Sequence, residues 1–252
     1  GIVSAFLGIT LADYTKDFIQ GNMYVGSYLL LSFLSFMPGV FLFFFKNNVD
    51  VKNEFQDQKN IRDIKSILIQ PKFLQAITAA AFAYAVMSFL MTATPLSMHV
   101  IENISLKKTG IVLQIHVVAM FLPSLFTGNL IKKFGHSAII YLGVFFFALT
   151  VFWSVFDQSY FNYMLSLIFL GLGWNFLFIS GTSLVVLTYK SEEKFKVQGF
   201  NDLIVFSTMA LASLSAGILL NSIGWKTMNL ICIPFLILII LISLIADKKS
   251  KQ

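Results

Sequence analysis

The chain has 252 residues, 57% of them hydrophobic and 12% charged, against about 25% charged in an average soluble domain. That balance excludes a water-soluble globular domain and makes lipid the solvent for most of the chain. The net charge of +6 comes from lysines gathered in connections, with no basic stripe interleaved with exposed aromatics, so it calls for no nucleic acid.

In chain order, residues 1–12 are apolar but too short to cross a bilayer, and no basic residue precedes them as it would in a signal peptide. They read as the second half of a helix, which makes the chain a fragment of a longer protein; the alternative is a short re-entrant or interfacial segment. Seven long apolar stretches follow at 22–45, 73–98, 110–131, 137–156, 161–187, 197–220 and 225–246. A spanning helix needs about 20 mostly apolar residues, and only helices satisfy the backbone in lipid at these lengths. The expected fold is all-α, a polytopic transmembrane helical bundle.

Four parts are expected: residues 1–45, a connection at 46–72, a six-span block at 73–246 and a tail at 247–252. Within the connection, Ile61, Ile64, Ile67 and Leu68 share one helical face. This predicts an amphipathic helix, either at the membrane surface or solvated as a linker. Pro71 suits the first turn of the next span, and Ser191 followed by Glu192 and Glu193 suits the start of the sixth.

Lysines set the expected orientation. Lys46, Lys52, Lys59, Arg62, Lys65 and Lys72 share one connection. Lys132 and Lys133, then Lys190, Lys194 and Lys196, then Lys248, Lys249 and Lys251 fall on the same side. The other side holds only Lys16, Lys107, Lys108 and Lys226. The positive-inside rule places the richer side, with the C-terminus, in the cytoplasm of a cell whose inner (plasma) membrane the chain crosses.

The spans fall into two classes. Those at 137–156 and 225–246 are almost pure hydrocarbon, whereas 73–98, 110–131, 161–187 and 197–220 carry polar groups that are costly to turn toward lipid. Tyr84, Ser88, Thr92, Pro95 and His99 follow one helix face; so do His116, Met120, Pro123 and Thr127. Asn175 shares a face with Thr182, and Asn201 with Thr208 and Ser215. For a single Ser or Thr, a bond back to its own helix is the commoner role. The apolar spans come third and sixth in the block, an order that a three-plus-three repeat explains, and such repeats mark transporters. Pro95 and Pro123 interrupt polar spans and are candidate kinks.

Nothing reads as an enzyme. Cys232 is alone, no Cys/His/carboxylate cluster has metal-ligand spacing, and there is no phosphate-binding glycine loop or nucleophile elbow. No cofactor or metal is expected.

The stretch Gly128–His136 resembles the second, eroded copy of the loop motif G-x-x-x-D/E-R/K-x-G-x-R/K of the major facilitator superfamily. Gly128, Lys133 and Gly135 match; Lys132 stands where the motif has an acid and Ser137 where it has a base. Residues 91–99, 170–184 and 198–202 are also similar to prokaryotic permeases of this superfamily without an assigned substrate. The resemblance implies a twelve-helix transporter, of which this chain holds the six-helix C-terminal domain and one and a half helices of the N-terminal domain. It implies that the four polar spans line the cavity and that Gly128, Lys132, Lys133 and Gly135 form a conformational loop.

The expected function is secondary transport of a small organic solute by alternating access, coupled to an ion or proton, in a monomer surrounded by membrane lipid. Tyr84, Ser88, Thr92, Trp174, Asn175, Thr182, Asn201 and Thr208 are the cavity-lining candidates, with Asp202 and His116 for proton coupling. The alternative is a seven-helix receptor or sensor, which would need neither the long connection nor the three-plus-three order.

Overall fold

A computed structural model describes residues 2–19, 21, 22, 24–44 and 62–249. The chain divides into two units, Gly1–Asn60 and Ile61–Gln252. Every described element is helical or a turn. The amphipathic stretch expected from Ile61 begins at a residue outside the described ones.

The first unit holds α1 (Ile2–Thr15) and α2 (Val25–Phe43). Their junction is tied by Ser27 Oγ donating to the Ala12 carbonyl at 2.7 Å and Thr15 Oγ1 donating to Ser27 Oγ at 3.2 Å. Beyond that contact α2 is predominantly apolar, with Leu29, Leu31, Phe33, Phe36 and Phe41 among its exposed residues.

The second unit contains α3 (Ile64–Leu68), α4 (Pro71–Pro95), α5 (Leu106–Phe121), α6 (Ser124–Phe134), α7 (His136–Ser154), α8 (Tyr160–Val186), α9 (Lys194–Ile231) and α10 (Ile233–Lys249). A π-helical turn, Leu96–Ile101, continues α4, and a 3₁₀ turn, Ser191–Glu193, leads into α9. The short α3 turns Ile67 into the protein core, where it is fully buried.

Helix α4 is the central element, packed against α8, α9 and α10, while α8 also packs against α7 and α5. Small residues make this closeness possible. A Cβ added at Gly181 of α8 would lie 2.7 Å from the Ala76 carbonyl oxygen of α4. The exposed faces of α7 and α10 carry Phe145 and Phe152, and Leu241 and Leu244. Those are the two spans that the sequence marks as hydrocarbon.

Three breaks shape the bundle. At Pro95, one of the candidate kinks, α4 passes into the π turn, which shifts the register of everything after it. At Leu122 and Pro123 the second span divides into α5 and α6. Helix α9, with 38 residues, would run about 57 Å if straight, too long for a bilayer core of about 30 Å. It breaks at Gly224, whose φ of 75° and ψ of 168° suit only a residue without Cβ. The fifth and sixth spans of the block therefore meet there, with no long loop between them.

Candidate functional site: an aromatic cluster between four helices

Trp174 and Phe178, one turn apart on α8, stack at 5.0 Å with ring planes 13° apart. The Tyr84 ring of α4 stands edge-on to both, at 5.3 Å from Trp174 and 4.9 Å from Phe178. Phe121 of α5 meets Trp174 at 5.9 Å, and Phe206 of α9 meets Tyr84 at 6.0 Å. Each edge-to-face pair adds about 0.5–1.5 kcal/mol beyond area burial, which holds the rings in defined orientations. Trp174 is buried, whereas Phe206 is half exposed, so the cluster has a closed and an open side.

The polar atoms around these rings are not used up. Trp174 Nε1 is buried with no acceptor. Among the described residues, the Tyr84 and Ser88 hydroxyls have no hydrogen-bond partner, and both residues are partly exposed. One turn further along α4, Thr92 shares a 3.0 Å hydrogen bond with Ser213 of α9. The stripe Tyr84–Ser88–Thr92 thus faces the flank of α9 that carries Phe206 and Ser213. Asp202, one turn before Phe206, is exposed.

The other candidates lie outside these ring contacts. Asn175 is fully buried and all of its amide is engaged. Its Nδ2 donates to the Met120 carbonyl and to Ser124 Oγ, each at 2.6 Å, and its Oδ1 accepts from Thr127 Oγ1 at 2.7 Å. Pro123 has no N–H to give, and this side chain of α8 takes up the polar groups at the break between α5 and α6. Asn175 is therefore placed as a clasp on the break. His116, fully buried, pairs its Nδ1 with the Leu167 carbonyl at 2.8 Å, against α8.

Thr182 and Thr208 bond back to their own helices, Thr182 to the Phe178 carbonyl at 2.7 Å and Thr208 to that of Ile204 at 2.9 Å. Thr208 and Ser215 line a separate cavity of about 490 Å³, walled by Phe82, Phe89, Cys232 and Phe235. Asn201 is buried; its Nδ2 reaches Asp202 Oδ1 at 3.1 Å and its Oδ1 has no partner. The α9 stripe that the sequence shows as one polar face is thus divided between two environments. In the loop motif, Gly128, Lys132, Lys133 and Gly135 are all exposed, and Gly135 ends α6 with φ 84°.

Phe121, Phe178 and Phe206 are the members of the cluster that sequence reasoning passes over, because phenylalanine is equally at home against lipid. The Trp174/Phe178 spacing of one turn was the available signal.

A bundle of helices long and apolar enough to cross a bilayer, with an aromatic cluster among α4, α5, α8 and α9, is the architecture of a multi-pass membrane protein. The sequence profile of the Major Facilitator Superfamily matches residues 1–200 and again 78–252, and the chain belongs to that family. It is 37% identical over 251 residues to the riboflavin transporter RfnT of Brucella anthropi, an alignment covering 100% of this chain and 63% of the relative. It is 32% identical over 165 residues, 62% of this chain and 37% of the relative, to the uncharacterized MFS-type transporter YddS of Bacillus subtilis. A second protein of that organism, the uncharacterized MFS-type transporter YdeG, is 31% identical over 156 residues, 61% of this chain and 36% of the relative. The chain spans less than two thirds of the length of each of these relatives.

Proposed function

We propose that the protein carrying this chain is a secondary transporter of a neutral, flat heteroaromatic solute of the flavin class, working by alternating access. The observation that carries this reading is the Tyr84–Trp174–Phe178 cluster with its unpaired indole N–H and the unpartnered hydroxyls of Tyr84 and, one turn on, Ser88. An isoalloxazine ring offers an apolar face to stack on these rings and carbonyl oxygens along one edge to accept from Trp174 Nε1, Tyr84 and Ser88. Buried donors left unpaired disfavour a solute without such acceptors, which is how a polar pocket discriminates. Similarity to a protein named as a riboflavin transporter supports the same class.

Asp202 is the group we assign to proton coupling. It is a carboxylate exposed on α9 one turn from Phe206, whereas His116 is sealed between α5 and α8. Thr92 and Asn201 border the solute path; Asn175 holds the α5–α6 break that shapes it. The solute exchanges between a cytoplasmic and an outer face, with the lysine-rich connections and the C-terminus in the cytoplasm.

The test is fluorescence-detected riboflavin uptake into vesicles containing the full-length protein, with and without an imposed pH gradient. Saturable uptake that an alloxazine analogue competes away is the expected result. Absence of saturable uptake in either direction would remove the flavin reading. Equal uptake with and without the gradient would remove the coupling.

A further inference from the structure

We propose that a second cavity, at the lysine-rich ends of α4, α7 and α8, binds the phosphate of an anionic membrane phospholipid. The cavity has a volume of about 420 Å³ and is lined by Lys72, Phe134, Gly135, His136, Ser137, Leu184 and Leu187. Its position fits a headgroup. Lys72 is in the first turn of α4, His136 opens α7, and Leu184 and Leu187 lie at the end of α8, so every wall is a helix end, the part of a spanning helix nearest the headgroups.

Its two walls match the two parts of a phospholipid. On one side Phe134, Leu184 and Leu187 present apolar surface, with Phe134 and Leu187 exposed. On the other, Lys72 is held in place by Asp247 Oδ1 at 2.9 Å and Gln75 Oε1 at 3.2 Å. An ammonium has three donors, so one remains for a further acceptor. The His136 ring has no hydrogen-bond partner among the described residues and is partly exposed at the cavity wall. Lys133 adds charge at the rim, its Nζ lying 5.1 Å from the centre of the Phe134 ring, and Lys132 beside it is also exposed.

Asp247 is the opposing charge. It is already engaged by Lys72, by Ser137 Oγ at 2.6 Å and by Tyr141 OH at 3.0 Å, which draws it toward protein donors. Lys132 and Lys133 then leave the cavity mouth cationic, and burial beside the Lys72 ammonium lowers the His136 pKa, so its neutral ring offers an N–H donor. Basic pockets between spanning helices on this side of a membrane suit anionic headgroups, at about 1 kcal/mol per nearby Lys or Arg.

The full-length protein is placed in phosphatidylcholine nanodiscs, alone or with phosphatidylglycerol, and its thermal unfolding is followed beside lipid retention in native mass spectrometry. Phosphatidylglycerol should raise the Tm and stay bound. His136→Ala, and separately Lys132→Gln with Lys133→Gln, should each weaken retention about tenfold, while Lys226→Gln at the opposite end should not. Lys72 is left intact because its loss would strand Asp247. The two lysines are exposed, so their double variant folds even where His136→Ala does not. Retention equal to wild type in the double lysine variant would overturn the proposal. So would a Tm rise of the same size with millimolar inorganic phosphate in phosphatidylcholine alone, which would make the site one for a free anion.

Discussion

Arg62 and Glu193, 131 positions apart, form a fork-to-fork ion pair at the lysine-rich end of the second unit. Arg62 Nε donates to Glu193 Oε1 at 2.8 Å and Nη2 to Oε2 at 2.6 Å. The Arg62 backbone N–H adds a bond to Oε1 at 3.1 Å, and that of Lys190 one to Oε2 at 2.9 Å. Nη2 also donates to the Thr188 carbonyl at 3.1 Å. The segment entering α4 is thereby fastened to the turn between α8 and α9. Glu193 is 1% exposed, so removing its partner leaves a buried charge.

The first prediction follows from that pair. Hydrogen bonds from Arg62, opposed by burial and aided by the Lys190 N–H, pull the Glu193 carboxyl down to about 2. A depressed carboxylate stabilises the fold above its unfolded pKa of about 4.3 and loses that contribution as pH falls through the folded value. Thermal unfolding in detergent should show Tm falling from about pH 4.3 toward pH 2, with part of that slope missing in Glu193→Gln. At neutral pH, Arg62→Gln should cost about 3 kcal/mol, the low end for a broken buried pair because Arg62 is partly exposed. An unchanged acid slope in Glu193→Gln would show that other carboxylates govern it.

Asn175→Leu should lower the folded yield and the Tm rather than the affinity for solute. The substitution strands the Met120 carbonyl, at about 1–3 kcal/mol for a buried group left unpaired, and takes one bond each from the exposed Ser124 hydroxyl and from Thr127, which keeps its bond to the Pro123 carbonyl. Size-exclusion profiles and melting curves would read it. A normal Tm with a raised KM for solute would place the amide in the binding site instead.

For the cluster itself, Trp174→Phe removes the indole N–H and keeps an aromatic ring. The KM for riboflavin uptake should rise about tenfold, corresponding to about 1.4 kcal/mol, with the protein level unchanged. Tyr84→Phe should act in the same direction by less, since Ser88 remains beside it. A KM equal to wild type in both variants would separate the cluster from recognition.

Gly181→Val tests the α4–α8 contact. The new side chain meets the Ala76 carbonyl, and backbone cannot yield as a flexible side chain would. A loss of about 1–3 kcal/mol or more is expected, visible as a lower Tm and poorer yield. The variant Gly128→Ala, where an added Cβ meets nothing within 4 Å, should melt like the wild type and serves as the control.

The orientation is open to direct labelling. In a Cys232-free background, a cysteine at Lys133 should resist an impermeant thiol reagent in intact cells, and one at Gln158 should react, because the lysine imbalance sets the topology. The reverse pattern would invert it.

The sequence by itself determined the solvent, the helices and the family resemblance. Hydrocarbon admits only elements that satisfy their own backbone, so a run of apolar residues of bilayer length has one outcome. The same logic separated the spans of α7 and α10 from the polar ones, because a polar group cannot be left facing lipid. The sequence could not say which neighbour each polar group would find. Asn175 and Ser88 look alike as polar residues in apolar helices. One is consumed at the break that Pro123 makes in a different helix, and the other stays free beside Tyr84. Asn201, Thr208 and Ser215 share a helical face in sequence, yet Thr208 and Ser215 line the cavity walled by Phe82 and Cys232 while Asn201 is buried outside it, against Asp202. Arg62 and Glu193 read as ordinary loop charges until the fold closes 131 positions between them. Helical periodicity fixes directions within a helix; the rotation of each helix about its axis is set by packing against the others, and only the tertiary structure decides that.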